Sequence, residues 1–187
     1  VSTMEALHPD ARDEDKRKSK KLYRVVRERD KHWSTEEIEK AIFAFPKDSA
    51  PGYTGMRPQH LKEALIGSNR ESLLIELGSL CDLMSGGLAC EEVRPWLVGA
   101  NLHALPKGTG GLRPVAVGET LRRLVSRLCI EPNRTRIANY LNPIQVGVGM
   151  PGGGEAVIHT IRQWFHRNRD DEEKVLVATD LTNAFNL

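Results

Sequence analysis

No stretch of this chain is apolar for long enough to cross a membrane as a helix, which argues against a helical membrane protein. Cysteine is scarce. The three residues Cys81, Cys90 and Cys129 form no C-x-x-C pair, so neither a disulfide framework nor a zinc site is expected, but buried thiols in a reducing compartment. Six histidines stand apart, with no H-E-x-x-H or paired spacing, so no zinc hydrolase is indicated, and no G-x-S-x-G nucleophile elbow occurs either. Net charge is nearly absent too, at +2, so any affinity for polyanions must come from local clustering. No repeat and no secretory leader is visible, and an N-terminus rich in charge fits an intracellular protein.

What the chain does have is ordinary globular composition, 40% hydrophobic and 28% charged, in 187 residues. Residues 1–33 read as a charged helix or arm, with Lys16-Arg17-Lys18 and Lys20-Lys21 around a thin stripe of Leu22, Val25 and Val26. A solvated face is the plain reading, and an arm touching nucleic acid the sharper one. Ser34-Thr35-Glu36-Glu37 is a capping box that opens a helix carrying Ile38, Ala41, Ile42 and Phe45, ended by Pro46. A turn-forming loop, residues 48–55, precedes helices expected over 59–66 and 71–84.

Two β-prone runs, 98–105 and 112–117, flank Pro106-Lys107-Gly108-Thr109-Gly110-Gly111 and predict a glycine-tipped hairpin, with Lys107 and Arg113 at its shoulders. An amphipathic helix over 119–130 follows; Leu121, Leu124, Val125 and Leu128 make its core stripe, and Arg122, Arg123 and Arg127 lie off it. A further helix is expected over 134–141. Between Lys107 and Arg136 stand seven basic residues and only two acids, Glu119 and Glu131. The overall charge conceals this basic segment.

The glycine-rich loop 145–155 opens a helix running to about Arg167. It is no P-loop: no Lys-Ser/Thr follows the glycines, and Glu155 suits a helix N-terminus. Close approach of another strand or chain explains the glycines better. Asp170-Asp171 reads as a solvated turn. In the final segment, Val175-Leu176-Val177-Ala178 is expected to be a buried strand that delivers Asp180. A carboxylate there needs a cation, a helix N-terminus or an arginine opposite, or it caps the following turn with Thr182 and Asn183.

Taken in order, these pieces make a pattern. A-P-G-x-x-G (residues 50–55) is followed by L-P-K and R-P-V (105–115), a basic helix, N-P-x-Q-V-G-V (142–148), G-G-G-E-A (152–156) and D-L-T-N-A-F-N (180–186). The series resembles the reverse transcriptases of non-LTR-type retroelements, from the fingers through the first palm motif, over roughly residues 34–187. The resemblance implies an α+β fold: helical fingers with a β-hairpin and the first strand of a polymerase palm. It implies RNA-directed DNA synthesis, with an RNA template, a DNA primer, dNTPs and two magnesium ions (manganese as a substitute) as partners, in the nucleus or cytoplasm of a eukaryotic host.

Residue by residue, the resemblance makes Asp180 a catalytic and metal-binding carboxylate, with the Leu181 carbonyl as a second ligand. Phe185 would exclude a 2′-hydroxyl, and Asn183 and Ala184 would offer backbone N–H groups to the nucleotide. Lys107 and Arg113 would grip the triphosphate, and Arg122, Arg123 and Arg127 would track template backbone. Two features depart from the pattern. Asn186 stands where many relatives have Asp, and no aromatic-x-Asp-Asp follows, so the chain is expected to be a piece of a longer enzyme that does not polymerise alone. The rival expectations are a non-catalytic nucleic-acid-binding module derived from such an enzyme, and a generic helical adaptor.

Overall fold

Ser34 closes the first turn of a helix from both sides. Its hydroxyl accepts the Glu37 N–H at 3.2 Å, and the Glu37 carboxylate accepts the Ser34 N–H at 3.0 Å, the reciprocal cap that the sequence predicts. The computed structural model describes residues 32–108 and 110–179. The charged arm before His32 and the motif after Thr179 lie outside the described residues, so the expectations for both are not addressed by the fold.

The described residues form two compact units that divide at the end of a long helix. In the first, helix α1 (Thr35–Phe43) buries Ile38, Ala41 and Ile42. Helix α2 (Pro58–Ala64) starts one residue before its expected place, because Pro58 suits a first helical position that lacks a free N–H obligation. Helix α3 (Arg70–Ser85) buries Leu74, Leu77, Gly78 and Cys81. A Cβ on Gly78 would sit 3.1 Å from Ile38 Cδ1, so glycine there lets α1 and α3 approach closely. Asp82 ties their ends: its carboxylate accepts the Trp33 N–H at 3.1 Å and lies 2.8 Å from His32 Nδ1.

A short helix, α4 (Arg94–Val98), corrects the sequence reading, which placed Val98 in a strand. Pro95 presets the helical turn, and its carbonyl accepts the Gly99 N–H at 3.0 Å. Strand β1 (Ala100–Pro106) then pairs antiparallel with β2 (Leu112–Gly118), Leu105 opposite Arg113 and Ala100 opposite Gly118. Gly110 and Gly111 take left-handed φ values of 87° and 85°, which the tight turn requires and which side chains resist. Helix α5 (Thr120–Ile130) follows, burying Leu124, Val125 and Leu128 as its stripe predicts. Side chains of α1, α2, α3 and α5 share one core with Trp33 and Phe45.

The second unit runs from Ile130. A 3-10 turn (Glu131–Asn133) leads into helix α6 (Arg134–Leu141), and a glycine-rich loop into helix α7 (Gly153–Asn168), both as expected. The glycines of this loop meet a helix and the loop itself, not another strand or chain: Gly149 lies against Ala138 of α6 and Gly153 against the Val146 carbonyl. Burial is sparse, with only Ala138 and Gly153 buried among the unit's described residues.

The buried strand expected at Val175–Ala178 is not found. Residues 174–179 have no regular structure, and Val175 and Val177 are each 76% exposed. The described residues hold a single two-stranded sheet, whose partners are already matched, so this segment has no ladder to join. Alternation and hydrophobicity supply the propensity for a strand; a neighbour must supply the hydrogen bonds. The thiols also differ from expectation. All three are free, but only Cys81 is buried, while Cys129 is partly covered and Cys90 exposed. The described architecture is therefore α+β, helices with one antiparallel hairpin.

Candidate nucleic-acid interface

The A-P-G-x-x-G loop, residues 50–55, is pinned at almost every peptide. The Ala50 carbonyl accepts Arg123 Nη2 at 2.7 Å, and the Gly52 carbonyl accepts Asn101 Nδ2 at 2.8 Å. Thr54 donates both its N–H (2.7 Å) and its hydroxyl (2.9 Å) to Glu119 Oε1. The Met56 carbonyl accepts the Thr120 hydroxyl at 2.6 Å. The loop thus wraps the start of α5 and touches the base of β1. Gly52 is obligatory on steric grounds, since a Cβ there would come within 2.5 Å of Glu119 Cα.

Glu119 is the centre of this arrangement and the residue that sequence reasoning passed over. It is 2% exposed, and besides Thr54 it accepts the Thr120 N–H at 3.2 Å, capping α5 with a carboxylate at its positive end. Its standing as one of only two acids within a basic run was the signal that could have found it.

The three arginines of α5 have different surroundings. Arg123 is partly buried, bonded to Ala50 and to the Thr120 hydroxyl (3.1 Å), with its guanidinium 5.7 Å from the centre of the Phe45 ring. Burial lowers its pKa below the usual arginine range, opposed by the Glu119 charge. Arg127 also lies over Phe45, at 5.0 Å, a cation–π contact. Arg122 is exposed; it donates to the Val98 carbonyl at 3.2 Å and lies across Gly118.

Lys107 and Arg113 stand at the other end of the hairpin, both exposed. The Lys107 N–H bonds the Gly111 carbonyl at 3.0 Å, continuing the ladder past Pro106. With Leu105 opposite Arg113 and a side-chain period of two, Lys107 and Arg113 share one face of the ribbon. Neither pairs with a carboxylate among the described residues. Seven residues of strand separate this tip from the hairpin base, roughly 20 Å at the usual rise.

From Arg94 to Arg127 the chain has six basic residues (Arg94, Lys107, Arg113, Arg122, Arg123, Arg127) and one acid, Glu119. Because that acid is buried, the segment exposes no carboxylate at all. Such a surface suits a polyanion. Asp180, Leu181, Asn183, Ala184 and Phe185 lie outside the described residues, so the structure neither joins them to this surface nor separates them. Among the described residues no cluster of three or more His, Cys, Asp or Glu is placed to hold a metal ion. No helix of the described residues is long and apolar enough to cross a membrane. Compared with known proteins, the chain matches no family model and no curated protein.

Proposed function

We propose that residues 34–187 are the fingers and first palm motif of an intracellular RNA-directed DNA polymerase, which extends a DNA primer on an RNA template by nucleotidyl transfer from dNTPs. The supporting observation is the pair Lys107 and Arg113, exposed on one face of a glycine-tipped ribbon in a segment without an exposed acid. A triphosphate or a nucleic-acid backbone meets there two cations that pair with no carboxylate among the described residues. Arg113 provides a planar fork for two phosphate oxygens and Lys107 a mobile point charge. The glycines allow the tip to come against a ligand without side-chain obstruction.

In this reading Asp180 would be the first of the carboxylates that bind magnesium, with the Leu181 carbonyl beside it, and the metal would supply electrostatic stabilisation for nucleotidyl transfer. Asn183 and Ala184 line the nucleotide, and Phe185 excludes the 2′-hydroxyl. The test is binding of an RNA–DNA hybrid and of a dNTP over a range of salt. Binding should weaken steeply as salt rises, and Lys107→Ala and Arg113→Ala should each lower affinity for the dNTP about tenfold. Salt-independent binding, or variants indistinguishable from the parent, would sink the proposal in favour of a helical adaptor.

One observation favours a second reading, a non-catalytic nucleic-acid-binding module derived from such an enzyme. The residues leading to Asp180 are exposed and belong to no sheet. Hybrid binding without primer extension, even when downstream coding sequence is included in the expressed protein, would select this module.

A further inference from the structure

The ribbon of β1 and β2 stands clear of the hydrophobic core. No described residue from 102 to 117 is buried, and none of the ribbon's side chains joins the core shared by α1, α2, α3 and α5. Two strands alone are marginally stable, and among the described residues no third strand fixes their direction. The place of Lys107 and Arg113 at the tip is therefore decided at the root. Both strands pass the root as glycine, Gly99 just before β1 and Gly118 at the end of β2, so no side chain of their own wedges them there. The Tyr53 ring lies 3.3 Å from the place of a Cβ on Gly99 and meets Trp96 of α4 with ring centroids 5.4 Å apart. Such apolar contact is non-directional and leaves the ribbon's angle open.

Asn101 supplies direction from within the ribbon. It stands opposite Val117 in the ladder, half-buried, and donates from Nδ2 to the Gly52 carbonyl at 2.8 Å. Gly52 belongs to the loop that Thr54 fixes to buried Glu119 and that Arg123 holds at Ala50. Glu119 caps α5, whose Leu124 is fully buried. A continuous series of bonds thus runs from the core through α5 and the loop to one amide on β1. Arg122, donating to the Val98 carbonyl, touches the chain just ahead of β1.

The ribbon is a lever of roughly 20 Å. A turn of about 3° at its root shifts the tip by about 1 Å, twice the tolerance of about 0.5 Å that a binding constellation allows. We infer that Asn101 is a positioning residue for the phosphate grip: through the Gly52 carbonyl it sets the angle of the ribbon, and so the place of Lys107 and Arg113, without touching the ligand. The inference takes its ligand, a dNTP, from the polymerase reading; the brace itself is independent of that reading.

The full chain is tested in two ways. With Cys90→Ser and Cys129→Ser in place, spin labels on Ser79→Cys of α3 and Gly108→Cys of the tip report the ribbon's angle as a distance distribution. Adding Asn101→Ala should broaden that distribution by about 5 Å, the arc of about 15° at the ribbon's length, with the melting temperature unchanged. In the unlabelled chain, Asn101→Ala should weaken dNTP binding about tenfold, since small misplacements are costly to a charged grip. Asn101 and Lys107 are far apart along the strand, so independent effects would add. If Asn101 acts through the tip, its effect should shrink to about threefold when Lys107→Ala is already present.

A distribution as narrow in Asn101→Ala as in the parent overturns the brace, whatever happens to dNTP affinity. A broadened ribbon with dNTP affinity unchanged, or with the same loss on both backgrounds, overturns the role in the grip. Broadening in a chain whose parent binds no dNTP removes the polymerase reading and leaves the brace standing.

Discussion

Thr54 donates its backbone N–H and its hydroxyl to the same oxygen of Glu119, across 65 residues of sequence, at 2.7 and 2.9 Å. This one carboxylate joins the loop to the helix that carries the arginines, and it is shut away from water. Removing it leaves two backbone N–H groups, of Thr54 and Thr120, and the Thr54 hydroxyl to find other partners. Glu119→Ala should cost about 3 kcal/mol and Thr54→Val about 1.5 kcal/mol, read as shifts in urea midpoint. The double variant should cost less than the sum, since both remove the same bonds.

Adjacent glycines at the start of α7 should respond oppositely. A Cβ on Gly153 would collide with the Val146 carbonyl, whereas one on Gly154 meets nothing within 4 Å. Gly153→Ala should therefore destabilise by about 2 kcal/mol or more through overpacking. Gly154→Ala should stabilise by about 0.5 kcal/mol, because alanine loses less backbone entropy in a helix. Thermal melts of the two single variants decide it.

The thiols should separate by reactivity. Exposed Cys90 should label first with a thiol reagent, and Cys81 only on unfolding. Burial pushes the Cys81 thiol from 9.0 up to about 12. Its folded-state value lies above that of the unfolded chain, so the stabilisation is complete below pH 9.0 and is lost as pH climbs toward about 12. Denaturation midpoints should fall more steeply with alkalinity for the parent than for Cys81→Ala.

Arg123 and Arg122 are neighbours with different tasks. The first bonds inward to Ala50 and Thr120, the second stays in solvent. Arg123→Lys should lower stability by about 1 kcal/mol, because an ammonium cannot lie as a flat group over Phe45 while bonding Ala50 and Thr120 as Nη2 does. It should leave the salt dependence of RNA binding as it was, while Arg122→Gln reduces that dependence with little change in melting temperature. Parallel melts and salt titrations of the two variants check the division.

Local signals wrote most of the first unit. Ser34 and Glu37 announce α1, glycines at 110 and 111 announce the turn, and the Leu124-Val125-Leu128 stripe gives both the helix and its buried side. These work because caps, left-handed turns and helical periodicity involve residues a few places apart. The basic segment was legible for the same reason, as was its pair Lys107 and Arg113.

Long-range pairing was not legible. Nothing near Glu119 in sequence says that Thr54 will bond it, or that Tyr53 and Trp96 will meet, because those contacts exist only once separate elements pack. Val175–Val177 has a strand's composition yet forms none among the described residues, since a strand is a property of two segments and not of one. Composition and periodicity thus settled which residues are apolar, charged or free to turn. Packing alone determined which acid is hidden, which arginine remains in water and which aromatic rings are left open, because burial and hydrogen bonding depend on neighbours far along the chain.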